Sequence, residues 1–362
     1  MKITIERDEL IRVLGWLVKF TEPKSASFWA KCVRFDAMNG AIVASATNLE
    51  ISGSESVAGT VREEGGFACD GKSMIERARF FAPGTIAIET VEDSKVLMQA
   101  GSQRYALKSV PLDDMPKIPP VPTSKQTQIP ATALGRLIDK VTHAISDDFN
   151  RPHIHSALIE CEAAVLRMVA TDGHLLTKCE VAIAAGRPFE MLVTKRAVVL
   201  LAEQCGRAAD GLSVQISTKG DKQFFQIGAA LLISQVPQAT FPTYQQVIPK
   251  RRRHATANRA EFLRALKVTG IDDGRVGISF NRDELSISGR TADGEIAAIE
   301  IPAACSFMHA MPIGVNAKTL AEQVDKCDDE SIQIDVDGEL DPVMILSEKD
   351  PGFVAIHMPM RL

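Results

Sequence analysis

Lys72-Ser-Met-Ile-Glu-Arg77, Lys195-Arg-Ala-Val-Val-Leu200 and Lys318-Thr-Leu-Ala-Glu-Gln323 open three helix-like runs, each 123 residues after the last. A second set precedes them: Glu9-Leu-Ile-Arg12-Val-Leu14, Ala133-Leu-Gly-Arg136-Leu-Ile138 and Glu261-Phe-Leu-Arg264-Ala-Leu266, at intervals of 124 and 128. An apolar residue and a proline close each unit: Val110-Pro111, Val236-Pro237 and Met358-Pro359. A fixed period of domain size predicts tandem copies of one domain, not a solenoid of short repeats.

Each third reads alike. A strand leads to a helix over Asp8–Val18, Ala131–Ala144 or Ala260–Thr269, where apolar residues recur at helical spacing. Strands follow at Ala41–Ser52, Val165–Thr171 and Glu284–Arg290, and then second helices at Lys72–Phe81, Thr194–Gly206 and Asn316–Cys327. The prediction is an α+β fold of three domains, 1–121, 127–249 and 255–362, each with two strand–helix–strands units. The joints carry linker chemistry. Prolines 116, 119, 120, 122 and 130 cluster at the first, and Lys250-Arg-Arg-Arg-His254 marks the second.

The 362 residues exceed what one core usually holds. No apolar run reaches bilayer length, and Met1–Arg7 lacks a signal-peptide layout. The seven cysteines are scattered, with no Cys-x-x-Cys pair, so a zinc site and a disulfide framework are not expected. These features point to a cytoplasmic protein with no membrane association. A net charge of −5 excludes a protein that coats nucleic acid with its whole surface.

Placement of the cations says more. Arg12, Arg136 and Arg264 recur at one helix position, and Lys72, Lys195 and Lys318 at another, with Lys140 and Arg196 nearby. A side chain repeated once per copy suits a repetitive ligand such as a phosphate backbone, or it serves surface solubility.

Thr171-Asp-Gly-His174 admits two readings. Asp172 and His174 could act as acid–base partners, or Asp-Gly could form a turn after a strand. His153 and His155 have ligand spacing without a third ligand, and no phosphate-cradling glycine loop is present, so no metal or cofactor is expected. The apolar end, Met358-Pro-Met-Arg-Leu362, is either internal packing or an adaptable partner contact.

Met1–Arg7, Ala46-Thr-Asn-Leu-Glu50, Val169–His174, Phe241–Lys250 and Met358–Leu362 occur in order from first residue to last, and together they resemble the bacterial sliding-clamp family. That resemblance implies a head-to-tail homodimer closing a ring around duplex DNA, with helices lining the hole and no catalysis. It implies a clamp loader, a replicative polymerase and other clamp-binding-motif proteins as partners. The partner-peptide pocket it implies holds Ile154, Thr171, Gly173, His174, Leu175, Leu176, Pro242, Gln246, Val247, Met358, Pro359, Met360 and Arg361. Leu175 and Gln246 stand where well-known members carry arginine, which implies an altered peptide preference. Lys24 falls at a DNA-contacting position. Tyr105 and Leu107 would meet Ile271 and Asp272 at the ring joint. A paralogue that binds partners without encircling DNA is the alternative.

Overall fold

The computed structural model describes residues 1–361 except 92–94, 124–125, 185–186, 251–252, 271–273, 291–292 and 308–309. The six α-helices among these are α1 (Arg7–Leu17), α2 (Gly71–Phe80), α3 (Ala131–Val141), α4 (Lys195–Arg207), α5 (Arg259–Thr269) and α6 (Ala317–Asp325). The starts of α2, α5 and α6 follow from capping, in which a side-chain oxygen takes an orphan N–H of the first turn. Asp70 accepts from the Ser73 N–H at α2, Asn258 from Glu261 at α5, and Asn316 from Lys318 and Thr319 at α6. The helical spacing then buries one stripe: Met74, Ile75 and Ala78 on α2, Val198, Leu201 and Cys205 on α4, Leu320 and Val324 on α6.

The chain forms two compact units that do not follow the three repeats: residues 1–131 with 207–235, and residues 132–206 with 236–362. The first is built on a 13-stranded antiparallel sheet, the second on a 12-stranded one. In the first unit, Trp16, Phe20, Phe35, Phe67 and Phe81 fill the core. Gly53 is needed there, because a Cβ would lie 2.6 Å from the Phe20 ring. In the second unit, Phe262, Phe280 and Phe353 anchor the core under α5 and α6.

Sheets cross from one repeat into the next by one rule. Ile51–Val57 of the first repeat pairs antiparallel with Ala230–Gln235 of the second, Ile51 opposite Ser234. Leu175–Ala182 of the second pairs with Val354–His357 of the third, Leu175 opposite His357. The corresponding strands at the outer ends lack such a neighbour among the described residues. Gln103–Val110 pairs along its length with Lys95–Ala100 and otherwise only at Ser109 and Val110. Ile296–Cys305 pairs with Glu284–Arg290 and otherwise only from Ala303 onward.

The expected strand Ala41–Ser52 is two strands, Ala41–Thr47 and Ile51–Val57. Asn48 breaks it: its Oδ1 accepts from the Ile51 N–H at 2.9 Å, and Leu49 turns at φ 77°. No helix among the described residues is long and apolar enough to cross a membrane.

Candidate functional site

The second unit carries the predicted pocket residues around one turn. Asp172 Oδ1 accepts from the N–H groups of His174 (2.7 Å) and Leu175 (2.8 Å). Thr171 Oγ1 donates to the Leu175 carbonyl at 2.6 Å and accepts from the Gly173 N–H at 3.1 Å. Gly173 sits at φ 97°, in the left-handed region that glycine enters without strain. The Asp172 carboxylate is therefore turned onto its own backbone, as in an Asx turn, and the turn reading holds. His155 is likewise structural, its Nδ1 2.8 Å from the Ser146 carbonyl. No cluster of potential metal ligands occurs among the described residues.

Beside the turn lies an apolar floor of Leu158, Val169, Leu176, Met344, Val354 and Ile356, packed under Phe241 and Tyr244. Tyr244 is fixed by donating its hydroxyl to Glu160 at 2.7 Å. His174, Pro242, Gln246, Val247, Met358 and Arg361 are exposed around it, and Thr171, Pro359 and Met360 are half-buried. The C-terminal backbone is tied down, since the Met358 N–H donates to the His174 carbonyl and that of Met360 to Gly314, both at 2.8 Å. Met358 nevertheless leaves 42% of its surface open, so the tail both packs and presents. Ile154 and Leu175 are buried and stand outside the floor cluster. Sequence reasoning missed Arg151, whose guanidinium would lie 3.3 Å from a Cβ on Gly173, and it missed Met344. The all-apolar run Val343–Leu346 was the available signal for the latter.

A buried polar clasp joins the strands that bear this floor. Gln323 Nε2 donates to the carbonyls of Leu176 (3.2 Å) and Ile356 (3.0 Å), and its Oε1 accepts from His357 Nδ1 at 2.9 Å. His143 Nε2 lies 3.1 Å from Thr177 Oγ1 alongside. Burial pushes both imidazoles down to about 4, which keeps them neutral.

The repeated cations are not equivalent. Lys140 corrects the expectation of a DNA-facing residue, because it is 3% exposed. Its ammonium meets Asp328 at 2.5 Å, Asp350 at 3.3 Å and the Lys326 carbonyl, and it lies over the Phe353 ring. The face of α3 that sequence spacing marks as outward is covered by the turns holding Asp328 and Asp350. Arg136 joins the same cluster, 2.8 Å from both carboxylates. Arg12 pairs with Glu9 and Glu55, and Lys195 with Asp147 and the Ile145 carbonyl. Arg196 is half-buried. Lys24, Lys72, Arg264 and Lys318 are exposed and form no ion pair among the described residues.

Of the expected joint residues, Tyr105 and Leu107 are half-buried on Gln103–Val110, with Tyr105 edge-on to Phe81 at 5.2 Å. Ile271 and Asp272 lie outside the described residues.

Comparison with known proteins gives a consistent result. The family model for the DNA polymerase III beta subunit, N-terminal domain, matches residues 1–119, and that for the central domain matches 128–243. The chain is 23% identical over 372 residues to the beta sliding clamp of Salmonella typhimurium and 24% over 378 to that of Caulobacter vibrioides, covering 100% of each chain. Its fold matches the DNA polymerase III beta subunit of Thermotoga maritima at TM-score 0.92 and 19% identity, covering 100% of this chain and 99% of that one. It matches a sliding clamp from Bartonella birtlesii bound to griselimycin at TM-score 0.93 and 23% identity, with 100% of both covered.

Proposed function

The chain belongs to the DNA polymerase III beta subunit family, and from that premise we propose that it is a processivity factor, a sliding clamp that encircles duplex DNA and tethers a polymerase. It works by topology and binding, with no cofactor and no catalysis, in the cytoplasm. The three repeats, 1–121, 127–249 and 255–362, act as three clamp domains, and two chains complete a six-domain ring.

The joint rule carries this reading. Two joints are made by pairing a strand of one repeat with the last strand of the next. Applied once more, the rule sets Ile296–Cys305 of one chain beside Gln103–Val110 of a second copy. The two free edges suit each other. On one, Arg104 and Lys108 are exposed while Tyr105 and Leu107 are half-buried; on the other, Glu300 is exposed while Ala297 and Ile299 are half-buried. Like alternation with opposite charge favours antiparallel pairing and a head-to-tail contact that closes into a ring with two chains. Ile271 and Asp272 belong to the same proposed joint.

DNA is held by loose phosphate attraction from Lys24, Lys72, Arg264 and Lys318, with Arg12, Arg136, Lys195 and Arg196 adding partly neutralised charge. Such attraction carries no sequence information, so the ring slides. The groove beside Thr171–Leu176 receives short peptides of the polymerase, the clamp loader and other partners, and it accepts griselimycin. Its floor supplies apolar burial, and His174, Gln246, Met358 and Arg361 shape the rim.

Retention on closed circular DNA tests the reading. The protein, loaded by a clamp loader, stays on circles in salt that strips it from linear DNA. Equal loss from both overturns the topological mechanism.

A further inference from the structure

The joint between the first and second repeats repeats the frame of the pocket. The turn Thr47–Ile51 copies Thr171–Leu175. Thr47 Oγ1 meets the Ile51 carbonyl (3.3 Å) and the Leu49 N–H (3.0 Å), and Asn48 Oδ1 takes the Ile51 N–H. Gln235 N–H reaches the Glu50 carbonyl as Met358 N–H reaches that of His174. The rows across the two sheets also correspond. Arg34, Ser45, Ser54 and Leu231 lie in register across four strands, as do Leu158, Val169, Lys178 and Val354. The pair Ser52–Ile233 occupies the place of Leu176–Ile356. A groove of about 470 Å³ lies on this face under the strap from Pro116 to Val121, the counterpart of Pro242 to Val247.

The frame is shared and the chemistry is not. The floor positions held by Leu158, Val169 and Leu176 in one copy are Arg34, Ser45 and Ser52 in the other. Arg34 is engaged by Asp36 at 2.7 and 2.8 Å, and Ser52 shares a hydrogen bond with Thr47 at 2.6 Å. An apolar ligand seated here would strip water from an ion pair and two hydroxyl-bearing residues and return no hydrogen bonds. We propose that Arg34, Ser45 and Ser52 are specificity determinants that close this twin groove to apolar-anchored peptides and thereby limit each chain to one peptide. The proposal rests on the pocket reading above.

Calorimetric titration of the full chain with griselimycin tests it. One equivalent per chain is expected for the wild type and two for R34L/S45V/S52L, which installs the floor of the second repeat. A folded triple variant that still binds one equivalent overturns the proposal, as does a wild type that binds two. A wild type that binds none sinks the pocket reading and this inference with it, a failure recognised by the missing first equivalent. If the triple variant melts early, hydrogen exchange on the wild type decides. Griselimycin then slows exchange along Leu175–Ala182 and Val354–His357 and leaves Ile51–Val57 and Ala230–Gln235 unchanged. Slowing at both joints contradicts the proposal.

Discussion

At the residue scale, two lysines that look alike in sequence have opposite consequences. Lys140→Ala leaves the buried Asp350 with Arg136 as its remaining cation, and loss of the ammonium's charge-assisted contacts costs roughly 1.5–3 kcal/mol. Lys72→Ala changes stability by less than about 0.5 kcal/mol, as exposed substitutions do. Denaturant unfolding of both variants checks the contrast, and equal destabilisation would contradict it. Sequence could not separate them. Arg136 and Lys140 are one helical turn apart and do share a face, but Asp328 and Asp350, far downstream in the chain, cover that face. Arg151 was hidden for a similar reason, because its role depends on the turn at Gly173 and not on its own neighbours. The Thr171–His174 turn itself was legible, since Asp-Gly in sequence and the Asx hydrogen bonds in space express the same local chemistry.

At the element scale, the clasp behind the pocket makes the strand joint sensitive to acid. His143 and His357 have folded values near 4 against an ordinary 6.5. A depressed histidine favours the fold while neutral, so the unfolded chain binds protons first as pH falls. Stability is complete above pH 6.5 and declines as pH drops toward 4, by about 3 kcal/mol for each histidine over that window. The facing charges, Lys326, Asp139 and Asp172 at His143 and Asp172 and His174 at His357, oppose one another and leave burial in control. Chemical unfolding at pH 7 and pH 4.5 measures the decline, and H143Q/H357Q flattens it. An unchanged slope in that variant would remove the clasp from the account. Helices were the most legible elements, because a 3.6-residue stripe and a polar cap suffice to define them. Strands were less so, as the merged reading of Ala41–Ser52 shows. A turn built by one asparagine side chain carries little signal between two apolar alternations.

At the scale of the whole molecule, the repeat was readable because fixed spacing of Lys72, Lys195 and Lys318 needs no structural knowledge. The route of the sheets was not readable. Strand partners lie more than a hundred residues apart, and nothing local in Ile51–Val57 names Ala230–Gln235 as its neighbour. Yet this long-range pairing turns three repeats into an argument for a ring: two joints are made, and among the described residues one strand edge at each end remains open. A closed ring requires those edges to pair between two copies. Sedimentation equilibrium across a range of concentrations tests that pairing. A stable mass of twice the 39.3 kDa chain is expected, reduced to the single chain when Arg104 and Lys108 are both replaced by glutamate. A wild-type protein that remains a 39.3 kDa monomer at micromolar concentration would contradict the closed ring and leave a partner-binding clamp fold that does not encircle DNA.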